Sequence, residues 1–239
     1  MSKNVKLYNG NLVDYEVYKL VDFYDPILRQ PTKPYVFDDE KSKDKASYIA
    51  FSMAESLERL QGLGLSANQV GLDVRVCALN MGKEIWTMFN PEIIERSEEL
   101  NTEFSEGCLS YPGLFLKIPR YKTVKVRFQA IGGQFVEQEL TGLTAVCLQH
   151  ELDHLDGIVY TDRVSRIKLD IAKKKVKSNV KKMNRISEKV AQEREHLIEQ
   201  SSGLQLKKQE PEVRILDSSM LGPQESVEKT PEKFVYNAG

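Results

Sequence analysis

Histidine and cysteine are both scarce in this chain, three of each in 239 residues. The odd cysteine count and the spacing of Cys77, Cys108 and Cys147 exclude a disulfide framework, so a reducing compartment is expected. Charge of one sign is lacking as well. The 34 basic residues stand against 35 acidic ones, which argues against whole-surface attraction to nucleic acid or membrane and leaves only local patches to consider. No apolar run approaches the roughly 20 residues that a membrane-spanning helix needs. The opening stretch, MSKNVKLYNGNLVDYEVYKLVDF, lacks the apolar core of a signal peptide and is too acidic for a transit peptide. These absences lead us to expect a cytoplasmic protein without membrane contact. With 41% hydrophobic and 29% charged residues, the chain has the composition of an ordinary globular protein and the length for one good-sized core or two small ones.

What is there begins with a helical stripe. Ile49, Met53, Leu57 and Leu60 recur at helix spacing, which predicts a core-facing helix from Asp44 as N-cap to Gly62 as left-handed stop. The glycine-punctuated GLGLSANQVGL that follows breaks both periodicities and predicts a loop whose backbone runs close to something. Residues 74–79 and 85–89 read as short buried strands. Residues 123–130 and 134–140 read as a hairpin, because Val124, Val126 and Phe128 alternate with Lys125 and Arg127 before Gly132-Gly133. Thr141 or Thr144 can cap a further helix that ends at Gly157. Strands followed by a helix define an α+β class, with small mixed or antiparallel sheets packed around this central helix and one more helix added at the C-terminal side.

That added helix is expected over 166–200. Ten Lys or Arg and only two acidic residues fall between 166 and 189, while Val176, Val180, Met183 and Val190 keep a narrow apolar stripe. Docking through the stripe with the lysines solvated is the simpler reading; a dedicated basic binding surface is the sharper one. Residues 201–239 mix charges with scattered proline and glycine and are expected to be disordered. The domain plan is therefore 1–165 for chemistry, 166–200 for the basic helix and 201–239 for the tail.

Chemistry is concentrated in CLQHELDHLDG, residues 147–157. Positions i and i+4 of a helix face one side, so His150 and His154 can converge on one ion, with Glu151 beside them as a general base. A third ligand must come from elsewhere. The longer HExxHxxGxxH pattern has Gly157 in place but Tyr160 at its last position, a poor substitute for histidine. Glu188 is the first glutamate of any later helix and has no supporting signature. Cys147 shares a face with His150, but ligands at 147, 150 and 154 would spread over about 10 Å of helix axis. Cys77 sits in the apolar VRVCAL and reads as core. Cys108, in the glycine- and proline-punctuated SEGCLSYPG, lies where the backbone can turn a thiolate toward the helix. Cys108, His150 and His154 with water in the fourth position would make an open site suited to catalysis.

Three blocks together, GLGLSANQ at 62–69, EGCLS at 106–110 and QHELDHLDG at 149–157, resemble the peptide deformylase family in order and spacing. The resemblance covers roughly residues 15–165 and includes YDPILRQPTKP. It implies metal-dependent hydrolysis of the formyl group from the N-terminal formyl-methionine of nascent chains. It also implies one divalent ion on Cys108, His150 and His154, ferrous iron first and zinc, nickel or cobalt otherwise. Glu151 would then be the base and later the proton donor, Gln69 and the Leu109 N–H the oxyanion donors, and Gly64 the backbone partner of an extended peptide. Leu63, Val146 and Cys147 flank these motifs and are candidates for a methionine pocket, or else ordinary core. Glu106 and Arg120 are expected to pair behind the ligand loop, with Asp153 on the helix surface or behind the ligands.

Ser66 and Asn68 stand where the family usually shows alanine and proline, so activity is expected to survive with substrate preference less certain. Members of the family approach the ribosome through a C-terminal extension, which gives the basic helix a candidate partner. Two other functions compete: a metallohydrolase with another acyl or peptide preference, and a non-catalytic ribosome- or RNA-binding relative.

Overall fold

A computed structural model describes residues 4–8 and 11–202; the expected tail, from residue 203 on, lies outside the described residues. The first strands, β1 (Asn4–Tyr8) and β2 (Asn11–Tyr15), pair antiparallel. Helix α1 then runs over Glu40–Leu60. Its cap is Asp39 rather than Asp44: the Asp39 carboxylate accepts the Ser42 N–H at 2.7 Å, and the Ser42 hydroxyl oxygen accepts the Asp39 N–H at 3.2 Å. This reciprocal box precedes a first turn, EKSK, that carries no buried residue, so apolar periodicity could not register it. The left-handed stop also moves, to Gln61 at φ 53°. Gly62 is needed for closeness instead, since a Cβ there would sit 2.8 Å from the Leu109 side chain.

The glycine-rich stretch is less of a loop than expected. It forms β3 (Gly64–Ser66) and a 3-10 turn over Ala67–Val70. Two strands follow, β4 (Val76–Asn80) and β5 (Ile85–Arg96). The expected end of β5 at Phe89 is passed through Asn90, whose left-handed φ of 50° is tolerated because its side-chain amide donates to the Tyr35 carbonyl and to Gln129 Oε1, both at 2.7 Å. Then come β6 (Leu100–Asn101), β7 (Glu106–Cys108), β8 (Tyr111–Leu116) and β9 (Arg120–Tyr121). The predicted hairpin is β10 (Thr123–Gln129) with β11 (Phe135–Thr141), turning through Gly133 at φ 85°. Helix α2 (Gly142–Leu155) carries the HExxH motif, with Thr141 at its N-cap, and α3 spans Arg166–Ser202.

The main sheet has the order β11-β10-β5-β4-β3 and is antiparallel throughout. Side chains of β4 alternate between two cores. Val76 and Ala78 join Ile49, Met53 and Leu57 of α1, while Cys77 and Leu79 join Leu148, Leu152 and Leu155 of α2. A strand covered on both faces explains why VCAL, residues 76–79, reads as a continuous apolar run. Each buried Val, Ile, Leu or Met side chain among these contributes about 1.5–3 kcal/mol, so α2 is fixed mainly by what lies beneath its ligand face. A third cluster gathers Leu28, Leu114, Leu116, Val159 and Tyr160 with Leu169, Ala172 and Val176 of α3.

Contacts divide the chain into two units, Met1–Ile186 and Ser187–Gly239. The first holds everything above; the described part of the second is the remainder of α3. Val180 and Met183, expected in the docking stripe, are 52% and 63% exposed, so within the first unit the helix packs through Leu169, Ala172 and Val176. No helix among the described residues is long and apolar enough to cross a membrane.

Candidate metal centre

Helix α2 is buried almost all round, from Ala145 through Leu155 with only Cys147 partly open, which brings both histidines inside the protein. The β7–β8 hairpin brings Cys108 to them, because its ladder closes with Cys108 opposite Tyr111. Gly107 lets the Phe115 ring lie over the strand; a Cβ there would be 2.7 Å from it. The donor atoms of Cys108, His150 and His154 lie within 4.8 Å of one another, and Cys108 Sγ is 3.2 Å from His154 Nε2. A thiol and two imidazoles form a donor set that suits a divalent transition metal and leaves room for a further ligand.

Behind these groups runs a chain of buried charge. His150 Nδ1 meets Glu106 Oε2 at 3.0 Å, so Nε2 is the nitrogen left for an ion. Arg120 donates to both Glu106 oxygens, at 2.6 and 2.8 Å, and to Asp153 Oδ2 at 2.6 Å, while Arg163 adds two bonds to Asp153. The expected Glu106–Arg120 pair is therefore present, and Asp153 stands behind the ligands, buried. Burial opposes the charge on Glu106, but hydrogen bonds from Arg120 and His150 outweigh it and hold the carboxyl below its usual range. Burial likewise opposes the charge on His150; the Cys108 and Glu106 contacts prevail and raise it to about 10. His154, buried and beside His150, is driven well below its ordinary value.

On the other side of the cluster, Glu151 is pushed up to about 7 by burial, against the lowering charge of His150. Its Oε2 is buried with no hydrogen-bond partner among the described residues. Gly64 makes this placement possible, since a Cβ there would lie 2.4 Å from Glu151 Oε1 and 2.7 Å from Cys147 Sγ. Gln69 Oε1 accepts from the Ser66 N–H at 2.9 Å and contacts the Ser66 hydroxyl at 3.0 Å. Its amide is thereby turned with Nε2 toward Ser110 Oγ at 3.1 Å and Cys108 Sγ at 3.5 Å.

A cavity of about 370 Å³ opens onto these groups. Its lining includes Leu63, Gly64, Gln69, Cys108, Leu109, Val146, Cys147, His150 and Glu151, which are all the candidate catalytic, substrate-binding and metal residues except His154, buried behind. Phe115 and Leu143, 64% and 42% exposed, also line it and were not anticipated. Nor were the partners of Gln69. The three-residue spacing of Ser66 and Gln69 was a usable signal for one; Ser110 had none beyond adjacency to Cys108. Tyr160, rejected as a ligand, is fully buried with its ring 5.4 Å from His150 and its hydroxyl donating to the Leu114 carbonyl at 2.9 Å.

Convergent Cys, His and His beside a buried glutamate on an HExxH helix define the class of mononuclear metallohydrolases. Comparison with known proteins is narrower. The profile of the family described as polypeptide deformylase matches residues 17–170. The peptide deformylase of Thermotoga neapolitana is 40% identical over 161 residues, which cover 67% of this chain and 94% of that protein. That of Bartonella tribocorum is 38% identical over 172 residues, 69% of this chain and 94% of that protein. Among solved structures, the peptide deformylase of Thermotoga maritima superposes with a TM-score of 0.57 at 39% identity, covering 63% of this chain and 99% of that one. The Synechococcus elongatus enzyme in complex with actinonin gives 0.59 at 31% identity, covering 66% and 85%. The chain belongs to the polypeptide deformylase family.

Proposed function

We propose that this chain removes the formyl group from the N-terminal formyl-methionine of nascent polypeptides. Water adds to the formyl carbon, the carbon–nitrogen bond breaks, and formate leaves a free amine. The observation that carries the reading is the convergence of Cys108, His150 and His154 next to the buried Glu151 carboxyl, in a chain of this family.

Cys108, His150 and His154 would hold one divalent ion, and their buried, mutually facing donor atoms fit it. Such an ion supplies Lewis acidity, polarising a carbonyl and acidifying water. Ferrous iron is the proposed metal; thiolate plus imidazole also suits zinc, nickel and cobalt. Glu151 takes the proton from the attacking water and returns it to the leaving amine. A carboxyl that burial raises to about 7 is matched to both halves of that exchange near neutral pH. Gln69 Nε2 and the Leu109 N–H donate to the oxygen on which charge develops, and Ser66 keeps the amide pointing the right way. β3 stands at one edge of its sheet, so the backbone at Gly64 can pair with an extended peptide. Leu63, Val146 and Cys147 would then face the methionine side chain.

Residues 1–165 are proposed as the catalytic domain and the basic helix as its contact with the ribosome, in the cytoplasm. Clustered lysines support that contact, and binding through phosphates should weaken steeply with salt. The activity itself is tested by comparing cleavage of formyl-, acetyl- and unblocked Met-Ala-Ser peptides. Release from the formyl peptide alone supports the proposal; equal rates on the formyl and acetyl peptides would favour a general deacylase.

A further inference from the structure

His154 is held differently from His150, and the difference points to a residue outside the established set. Its Nε2 faces Cys108 Sγ at 3.2 Å, which leaves Nδ1 turned to the rear, where it is buried with no hydrogen-bond partner among the described residues. One other residue in contact with His154 has the same deficiency. Asn68 is fully buried, its Nδ2 donates to the His154 carbonyl at 2.5 Å, and its Oδ1 has no partner among the described residues.

The two orphaned atoms are chemically complementary. A neutral imidazole that offers Nε2 to an ion carries its proton on Nδ1 and must place that proton somewhere; an amide oxygen can only accept. Each such group left unsatisfied in the interior loses its hydrogen bonds to water with nothing in exchange. Pairing them, directly or through one buried water, removes both losses at once.

We propose that Asn68 is the positioning residue of His154. Its Oδ1 takes the Nδ1–H and fixes the tautomer, while its Nδ2 anchors the same residue's backbone, as Glu106 serves His150 on the other side. The His154 carbonyl already accepts the Gly157 N–H at 3.0 Å, so Asn68 fills its second acceptor site near the end of α2. Because Gln69 follows Asn68 directly in the chain, one amide ties the proposed oxyanion donor to the far ligand. Asn68, a departure from the family's usual residue, thereby gains a function that a packing residue would not have. This rests on the reading that Cys108, His150 and His154 hold a metal.

The test uses full-length protein labelled with nitrogen-15 histidine and loaded with zinc, as wild type and as Asn68→Leu. In the wild type, His154 is expected as the Nδ1–H tautomer with a slowly exchanging ring proton. In Asn68→Leu that signal should shift and zinc should bind about 10–100-fold more weakly, the range known for groups that support ligands from behind. The His150 signal, held by Glu106, should stay where it is. An unchanged His154 signal together with unchanged zinc affinity overturns the proposal. Should the variant fail to fold, the wild type decides alone: a His154 ring proton exchanging as fast as that of a solvent-exposed imidazole also overturns it. Wild-type protein that takes up no zinc contradicts the metal centre itself, and so separates the two failures.

Discussion

Glu106 and His150 share a buried hydrogen bond of 3.0 Å, and Arg120 grips the same carboxylate with two more. The carboxylate is thus fixed before it orients the imidazole. Glu106→Gln keeps the shape but weakens the acceptor, and is expected to lower metal affinity about 10–100-fold with little loss of fold. Arg120→Leu leaves Glu106 and Asp153 buried with less compensation and should cost about 3–5 kcal/mol of stability. Metal titration for the first and denaturant unfolding for the second separate orientation from support.

Gly64 admits no side chain. An alanine Cβ would lie 2.4 Å from Glu151 Oε1, and neither β3 nor α2 has room to retreat, since both are packed on β4. Gly64→Ala should therefore displace Glu151 and lower kcat/KM by about 100-fold or more, the scale of a misplacement near 1 Å. Metal content should remain that of the wild type. Full activity would mean that Glu151 does not work from the position described.

Tyr160 occupies the place where a different HExxH family would have its third ligand. Here its hydroxyl serves the Leu114 carbonyl. Tyr160→Phe should cost about 1 kcal/mol in thermal or denaturant unfolding and leave metal affinity unchanged.

Truncation of α3 is expected to act in two stages. Removing residues after Ser165 strips Leu169, Ala172 and Val176 from the third core cluster and should lower the melting temperature. Removing residues after Ile186 spares those contacts and should leave stability and peptide hydrolysis unchanged. Loss of ribosome co-sedimentation in the first truncation, which removes the clustered lysines, would support the proposed contact; unchanged co-sedimentation would count against it.

The parts legible in the sequence were those written in local pattern. The α2 face, the β10–β11 hairpin and the ligand loop each follow from spacing of a few residues. Other features were set by distant partners. Asp39 capped α1 through a polar first turn that periodicity cannot see, and β3 hid among glycines because its partner strand, β4, supplies the ladder. The Glu106–Arg120–Asp153–Arg163 arrangement joins four segments, of which only the Glu106–Arg120 pair was anticipated. Asn68 was visible as an oddity, but its tie to His154 spans 86 positions and had no local signature.

In the proposed mechanism Glu151 performs proton transfer beside an ion held by Cys108, His150 and His154. Metal content and formate release from formyl-Met-Ala-Ser, measured side by side on anaerobically prepared wild type and Glu151→Ala, test it most directly. One equivalent of metal is expected in both proteins, with formate release reduced by about 100- to 10,000-fold in the variant. Equal metal content with undiminished formate release would contradict it.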